Sequence, residues 1–269
     1  MHARALMLLL VAGAPALAQA PDSRATYRVT FQADWSADTH PYDFPRIAHL
    51  SGLVGATHDD SIAFWRVGGL ASPGIEAMAE SGSKSSLESE VRIAIDDGRA
   101  GTLVSGIGTL SGEASTHEFE TSAAFPLATL VAMISPSPDW FVGSQGVPLR
   151  DGAGWLDRVV VELWPMDAGT DSGVAYISPN QDTQPPMPIA DIRGQLPFAG
   201  GPAMGTFTFE LLAVECAADF DGDGRATIFD FLAFQNAFAA GDAAADVDGS
   251  GTLTIFDFLA FQNALSAGC

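Results

Sequence analysis

Apolar and polar residues alternate along most of the chain between residues 26 and 215. This period of two is typical of β-strands that bury one face. The alternation is clearest in four segments, residues 27–31, 87–95, 158–164 and 206–214. Clusters of Gly, Pro, Asp and Ser separate these segments, as turns do in an antiparallel sheet. The pattern predicts an all-β antiparallel sandwich of roughly eight strands, with short helical turns only at 74–80 and 126–134.

The first 20 residues follow a different pattern. Arg4 precedes an apolar run over residues 5–11, and a stretch of small residues ends at Ala20. A basic start, a short apolar run and an A-x-A ending are the features of a secretory signal peptide, and the run is too short to span a bilayer. We therefore expect residues 1–20 to be removed and the mature protein to be secreted, extracellular or at a cell surface, without membrane insertion.

The last part of the chain repeats itself and changes to helical spacing. Segments 218–241 and 245–268 are identical at 18 of 24 positions, which indicates an internal duplication. Each copy starts with an acidic loop and continues in an apolar stretch with the period of a helix. On that period Phe229 falls outside the face predicted to be buried. The predicted buried face consists of Ile228, Phe231, Leu232, Phe234 and Phe238.

Both acidic loops have the residue spacing of a calcium-binding loop. Calcium takes six to eight oxygen ligands, and alternate residues of a tight loop can supply them if a glycine permits the sharp bend. Gly224 and Gly251 stand at that bend. The ligand positions are filled by Asp219, Asp221, Asp223, Arg225, Thr227 and Asp230 in the first copy and by Asp246, Asp248, Ser250, Thr252, Thr254 and Asp257 in the second. We predict one Ca²⁺ in each loop, with Arg225 and Thr252 contributing backbone carbonyls.

Residues 216–269, with this spacing and duplication, resemble a dockerin, in particular the compact GC-type that ends in Gly-Cys. The resemblance implies a small all-α, EF-hand-like module that docks onto a cohesin-like or other surface receptor. Dockerins commonly carry small hydroxyl residues at loop positions 10 and 11. Here Ile228–Phe229 and Ile255–Phe256 stand at those positions, which argues against an ordinary type I cohesin as the receptor.

Phe229 and its counterpart Phe256 are therefore candidates for partner binding, because interface cores favour aromatic residues. The alternative is that each packs against the opposite calcium loop. Since the two copies are nearly identical, a partner could bind in either of two orientations.

Cys216 and Cys269 are the two cysteines of the chain, and they flank the duplication. In an exported protein two cysteines suggest one disulfide, which here would remove about 4 kcal/mol of loop entropy from the unfolded state. A free thiol at a frayed terminus is the alternative.

Two loops of the sandwich region concentrate carboxylates. Asp139 ends a proline-rich corner, and Asp167 and Asp171 flank a Gly-containing turn. Carboxylates four residues apart can converge on one cation, and a third from another loop would complete a site of hard oxygen ligands. Because Asp also caps turns without any metal, the spacing leaves both interpretations open.

The same region, residues 24–215, resembles the spondin domain of secreted matrix proteins. The matching motifs lie at residues 137–140 (Ser-Pro-Asp-Trp), 142–143, 154–155, 167–173 (Asp-Ala-Gly-Thr-Asp-Ser-Gly), 176, 178–180 and 188–189. The resemblance implies a C2-like, calcium-binding β-sandwich in which Asp139, Asp167 and Asp171 bind one Ca²⁺. It also implies an adhesive role toward an extracellular ligand that the sequence does not identify. The cysteines of animal members are absent.

Composition narrows the class of partner. The formal net charge of −21 repels nucleic acid and anionic lipid, whereas a hydrophobic content of 47% favours folded cores over disorder. We interpret the chain as a secreted, calcium-binding, non-catalytic adhesion or matrix-type protein. One alternative is a carbohydrate-binding accessory component of a polysaccharide-degrading assembly, with tryptophans that stack on sugars. The other is a hydrolase whose carboxylates meet in space.

Overall fold

The computed structural model describes residues 23–152, 154–223 and 225–268. The predicted signal peptide, Gly224 and Cys269 lie outside the described residues. Cys216 is disulfide-bonded, and its pairing with Cys269 stays a prediction.

Short strands and two helices alternate in the first half of the chain. The elements are β1 (Arg24–Ala33), β2 (His49–Leu50), β3 (Val54–His58), α1 (Pro73–Ser81), α2 (Ser85–Asp96), β4 (Ala100–Ser105), β5 (Thr109–Leu110), β6 (Ala114–Ser122) and β7 (Leu127–Ser135). Strands alone follow up to Glu215. They are β8 (Trp140–Gly143), β9 (Val147–Pro148), β10 (Arg150–Asp151), β11 (Gly154–Trp155), β12 (Arg158–Leu163), β13 (Met166–Asp167), β14 (Ala190–Asp191) and β15 (Gly205–Glu215). The duplicated end forms α3 (Ile228–Ala240), a 3-10 turn (Ala243–Ala245) and α4 (Ile255–Ala267).

Two antiparallel sheets build the sandwich. One has the strand order β12-β15-β1-β6, and the other contains β14-β13-β8-β7-β2-β5 with β3, β4 and β9 attached. Side chains of β1, β15, β7 and β8 fill one common core. The predicted antiparallel β-sheet-rich domain is confirmed.

The alternating sequence of β1 explains how this inner strand of the first sheet contributes to the core. Tyr27, Val29 and Phe31 are buried and their neighbours are half-buried, so one face of the strand enters the core. Phe31 meets Phe207 of β15 with ring centroids 4.8 Å apart. Aromatic pairs of this kind on facing strands fix the register of a sheet.

Two predicted elements have the wrong type. Residues 87–95 form α2, because Leu87, Val91 and Ala94 recur at helical spacing and are the buried residues of that helix. The second segment, 126–134, is not a helical turn, because residues 127–134 belong to β7. That strand is buried on both faces, so its sequence is a continuous apolar run without alternation. The predicted turn at 74–80 is a full helix, α1, with Ser72 as its N-cap.

Helix α1 lies on the second sheet, on the side away from the common core. Ile75, Met78 and Ala79 are buried there in a cluster that includes Phe141 of β8 and Met166 of β13. This packing holds the last turn of α1 close to the loops that carry the predicted metal ligands.

The duplicated end has a small aromatic core. Phe234 of α3 and Phe261 of α4 are fully buried, and their rings stack at 4.3 Å between centroids. Ile228 and Leu232 are 62% and 48% exposed, so their predicted burial is wrong. The contact seam between the helices is narrow and runs along Phe231, Phe234 and Phe238, which leaves those two residues outside it.

Candidate functional site

Strand register brings the predicted ligands of the sandwich together. Asp139 directly precedes β8, where the Ser137 hydroxyl oxygen accepts a hydrogen bond from the Trp140 amide at 3.0 Å. Asp167 of β13 pairs with Trp140 of β8, which places it beside Asp139. Asp171 follows in the next turn, and it forms an isolated bridge to Asp182.

The Asp139 carboxylate is fully buried, and its two oxygens differ. Oδ2 accepts hydrogen bonds from the backbone N–H groups of Thr170 at 2.7 Å and Asp171 at 3.1 Å. Oδ1 is buried and accepts no hydrogen bond from any residue that the structure describes. A buried carboxylate oxygen without a donor costs free energy, and its lone pairs are available to a cation.

Asp167 and Asp171 use their carboxylates partly as turn caps. Asp167 Oδ1 accepts from the Gly169 N–H at 2.8 Å. Asp171 accepts from the N–H groups of Gly173 at 2.7 Å and Gln181 at 2.9 Å. Turn capping therefore explains these two residues in part but leaves Asp139 Oδ1 unexplained.

Asp167 and Asp171 also line a small pocket of about 170 Å³, together with Trp140. Among the residues the structure describes, only the duplicated loops bring three carboxylates to within 4.8 Å of one another. The three sandwich aspartates would thus have to draw closer around a cation.

Within the described part of the chain, the three aspartates of the sandwich have N–H donors but no basic side chain as an ion-pair partner. Burial raises the pKa of Asp139. Burial, followed by the charge of Asp139, raises the pKa of Asp167 to about 6. None of the four ion pairs formed within the described ranges includes Asp139, Asp167 or Asp171.

Sequence reasoning missed Glu80, which lies in the last turn of α1. Burial raises the pKa of Glu80, and the charges of Glu76, Asp171 and Asp139 raise it further, although a hydrogen bond with Thr170 lowers it. The only signal in the sequence is the spacing of Glu76 and Glu80, one turn apart on the same side of a helix. Nothing in that spacing connects them to a loop so distant in the chain.

The duplicated loops gather part of their predicted ligands. Ligand oxygens of Asp219, Asp221 and Asp223 lie within 4.8 Å of one another. Those of Asp246, Asp248 and Asp257 do the same in the second loop. Partial desolvation, together with the neighbouring charges of Asp223, Asp230 and Asp219, raises the pKa of Asp221.

Asp230 has a different environment from the first three aspartates of its loop. It is fully buried and accepts from the N–H groups of Phe220 at 2.8 Å, Asp221 at 3.1 Å and Thr227 at 2.6 Å. Burial alone would raise the pKa of Asp230, but these hydrogen bonds outweigh it and the pKa is lowered. Asp257 accepts similarly from Thr254 and Asp248.

The remaining predicted ligands organise the loops and helix starts. Thr227 and Thr254 cap α3 and α4, each accepting from an N–H of the first turn at 3.1 Å. Arg225 donates its N–H to Asp223 at 3.0 Å. The Ser250 hydroxyl donates to the Thr252 carbonyl at 3.1 Å.

Comparison with known proteins accounts for most of the sandwich. Residues 25–201, which include Glu80 and all three sandwich aspartates, match Spondin_N. The chain belongs to the Spondin_N family. Spondin-1 of Homo sapiens is 39% identical over 170 residues, which are 60% of this chain and 21% of Spondin-1. Spondin-2 of Homo sapiens is 34% identical over 179 residues, 64% of this chain and 54% of Spondin-2. The chain thus spans about a fifth and about half of these relatives.

The duplicated end lies beyond the matched residues of the spondin domain. Phe229 and Phe256 at the starts of its helices are 67% and 58% exposed. Ile228 and Ile255 beside them are equally open. Both rings are thus mostly in solvent, and neither belongs to the hydrophobic cluster between the helices.

The tryptophans of the spondin domain are poorly placed to stack on sugars. Trp35, Trp65 and Trp140 are buried, and Trp155 is half-buried. Trp164 is also half-buried and is covered by the guanidinium of Arg193, 4.4 Å from its ring centroid. No helix in the described part of the chain is long and apolar enough to cross a membrane.

The raised pKa of Asp167 predicts a pH dependence for the calcium-free spondin domain. A carboxyl whose pKa rises from 3.8 to about 6 on folding adds stability below pH 4 and loses that contribution as pH rises through 6. In chelator we expect Asp167→Asn to raise the melting temperature relative to wild type increasingly from pH 4 to pH 7, as followed by tryptophan fluorescence. Asparagine keeps an oxygen for the Gly169 N–H. A difference that does not change with pH would contradict the prediction.

Proposed function

We propose that this is a secreted, calcium-binding, non-catalytic protein of the adhesion or matrix type. Membership of the Spondin_N family supports an extracellular adhesive role. The spondin domain binds an extracellular ligand, and the duplicated end attaches the protein to a receptor. The observation that carries the calcium part is the buried Asp139 Oδ1, which has no hydrogen-bond donor in the described part of the chain.

Asp139, Asp167 and Asp171 would hold one Ca²⁺ in the spondin domain. Carboxylate oxygens on flexible turns suit calcium, which accepts variable geometry and many hard ligands. Bound calcium would neutralise buried charge and fix the turn between β13 and the Asp171 bridge. Since backbone N–H groups already occupy Asp139 Oδ2, that carboxylate has a structural role rather than that of a free base.

The duplicated end would hold two further calcium ions, one beside each carboxylate cluster. We propose that it is a dockerin-like module which binds a cohesin-like or other surface receptor. Three observations support this: the duplication, the two acidic clusters and the two exposed aromatic residues.

Calorimetric titration of the mature full-length chain tests the calcium assignment. We expect three tight sites, with one remaining after the double substitution Asp221→Asn and Asp248→Asn. If neither protein takes up calcium tightly, the proposed function fails.

The double substitution Phe229→Ala and Phe256→Ala is expected to abolish receptor binding without unfolding the module. Both rings are mostly in solvent, and substitutions at exposed positions usually change stability by less than about 0.5 kcal/mol. Either single substitution should leave one intact face, so binding should persist. Capture of surface proteins in calcium and in chelator, with identification by mass spectrometry, measures the effect.

Phe234→Ala is the matched control, because that ring is fully buried between the helices. It should cost roughly 3–5 kcal/mol and remove binding by unfolding the module. Loss of helix in the exposed double variant would instead show that Phe229 and Phe256 are needed for folding.

A further inference from the structure

We propose that Glu80 is a fourth acidic group of the calcium site in the spondin domain, reaching it from the last turn of α1. This inference rests on the proposed calcium site and extends it to a residue outside the three aspartates. The site would then receive a residue from helix α1 in addition to those from the loops of the sheet.

The position of Glu80 is fixed by its helix. Ile75, Met78 and Ala79 are fully buried on the adjacent face of α1, so the helix cannot rotate without opening that cluster. Gly82 closes the helix with a positive φ of 68°. Glu80 itself is half-buried.

The loop that contains Thr170 packs beside helix α1 and also holds the buried aspartate. The Thr170 N–H donates to Asp139 Oδ2 at 2.7 Å, and its hydroxyl lies 3.4 Å from the same oxygen. Ala79, the neighbour of Glu80 in α1, belongs to the same buried cluster as Ala168, which follows Asp167 in this loop. Glu80 therefore lies at the end of a helix that packs beside the loop of Asp167 and Asp171. Burial raises the pKa of Glu80, and the charges of Asp171 and Asp139 contribute to this rise.

The end of a helix is an unfavourable place for a carboxylate. Backbone carbonyls give the C-terminal turn a partial negative charge, and the last turn of α1 contains no basic residue. Across residues 23–152, 154–223 and 225–268, no ion pair involves Glu80 or the three aspartates. A divalent cation would offset all of this charge at once.

Acidic clusters also occur without a metal, but Asp139 Oδ1 favours one here. This oxygen is fully buried and accepts no hydrogen bond from the described residues. A cation bound by that oxygen would lie within the field of Glu80 as well.

Glu80→Gln tests the proposal, because glutamine keeps the size of the side chain and removes its charge. Terbium ions can replace calcium and luminesce when a nearby tryptophan is excited. Trp140 lies in the pocket with Asp167 and Asp171, whereas residues 216–269 contain neither Trp nor Tyr. Terbium luminescence in the full chain with Asp221→Asn and Asp248→Asn thus reports on the spondin domain.

We expect Glu80→Gln to raise the half-saturating concentrations of terbium and of competing calcium roughly tenfold. Asp60→Asn is the matched control. It removes one exposed carboxylate just after β3, beyond the end of β7 opposite to Asp139, and should change neither value.

Melting temperature separates a metal ligand from a structural residue. If Glu80 serves calcium, Glu80→Gln melts no lower than wild type in chelator and clearly lower in calcium. A loss of the same size in both conditions would overturn the proposal. If Glu80→Gln binds terbium like wild type while Asp139→Asn does not, the role of Glu80 is refuted and the calcium site stands. If neither substitution alters binding, the site itself is refuted.

Discussion

Removal of calcium is expected to unfold the duplicated C-terminal end while the spondin domain stays folded. Residues 216–269 contain eight Asp and one Arg, and three fully or almost fully buried side chains, those of Phe234, Ala245 and Phe261, form the centre of their core. A core of this size contributes little hydrophobic free energy, so folding has to draw on metal binding. Without cations, the carboxylates of each loop repel one another at short range.

Hydrogen exchange with mass spectrometry on the full-length chain measures this effect. In calcium, the amides of α3 and α4 should be protected, whereas in chelator they should exchange at nearly the rate of an unfolded peptide. Amides of β1 and β15 should stay protected in both conditions, because these strands are central in their sheet. Asp221→Asn with Asp248→Asn should reproduce the chelator result in the presence of calcium.

Asp242→Asn is the matched control within the same segment. Its carboxylate accepts from the Ala244 N–H at 3.0 Å and belongs to neither cluster. This variant should keep calcium-dependent protection. Full protection of α3 and α4 in chelator would contradict metal-coupled folding.

The strands that bury only one face were predicted correctly from the alternation of apolar and polar residues. β1, β12 and β15 lie in one sheet, and each presents one face to the core. Period-two alternation is a direct consequence of such one-sided burial. For these elements local sequence and tertiary environment agree, and the prediction of an antiparallel, β-sheet-rich domain was correct, although α1 and α2 show that the domain is not all-β.

The element type was predicted wrongly where the buried residues do not match the apparent alternation of the sequence, as in β7 and α2. β7 is covered on both faces, by the core and by α1, so it has no polar face to mark it as a strand. In α2 the residues Leu87, Val91 and Ala94 are the ones that pack, while Ile93 stays 60% exposed. The apparent alternation of Val91, Ile93 and Ile95 therefore does not describe what is buried. Such cases are decided by neighbours that the local sequence does not reveal.

Candidate site residues within one loop could be predicted from the sequence, whereas those brought together by packing could not. Carboxylates within one loop could be found from spacing, because the chain itself holds Asp167 near Asp171 and Asp219 near Asp221. Glu80 could not be found in this way, because helix α1 comes beside the loop of Asp167 and Asp171 only after it has packed on its sheet. Likewise, the exposure of Ile228 depends on which residues of α3 face α4.

Asp139→Asn is expected to abolish calcium binding by the spondin domain while the domain remains folded. Asparagine can still accept from the N–H groups of Thr170 and Asp171, but it lacks the charge that a cation requires. Affinity should fall by more than the 10–100-fold that is typical for partners outside the ligand shell. Asp139→Ala should instead destabilise the domain by roughly 2–4 kcal/mol with or without calcium, because it leaves two buried donors unpaired.

Thermal melting followed by tryptophan fluorescence distinguishes these outcomes, since all five tryptophans lie between Trp35 and Trp164 in the spondin domain. Calcium at 100 times its dissociation constant stabilises the folded state by about 2.7 kcal/mol. For a domain of this size that corresponds to roughly 5–10 °C in wild type. The shift should vanish in Asp139→Asn, whose melting temperature in chelator should stay close to that of wild type. A calcium-induced shift of wild-type size in Asp139→Asn would show that this buried carboxylate is not the centre of a metal site.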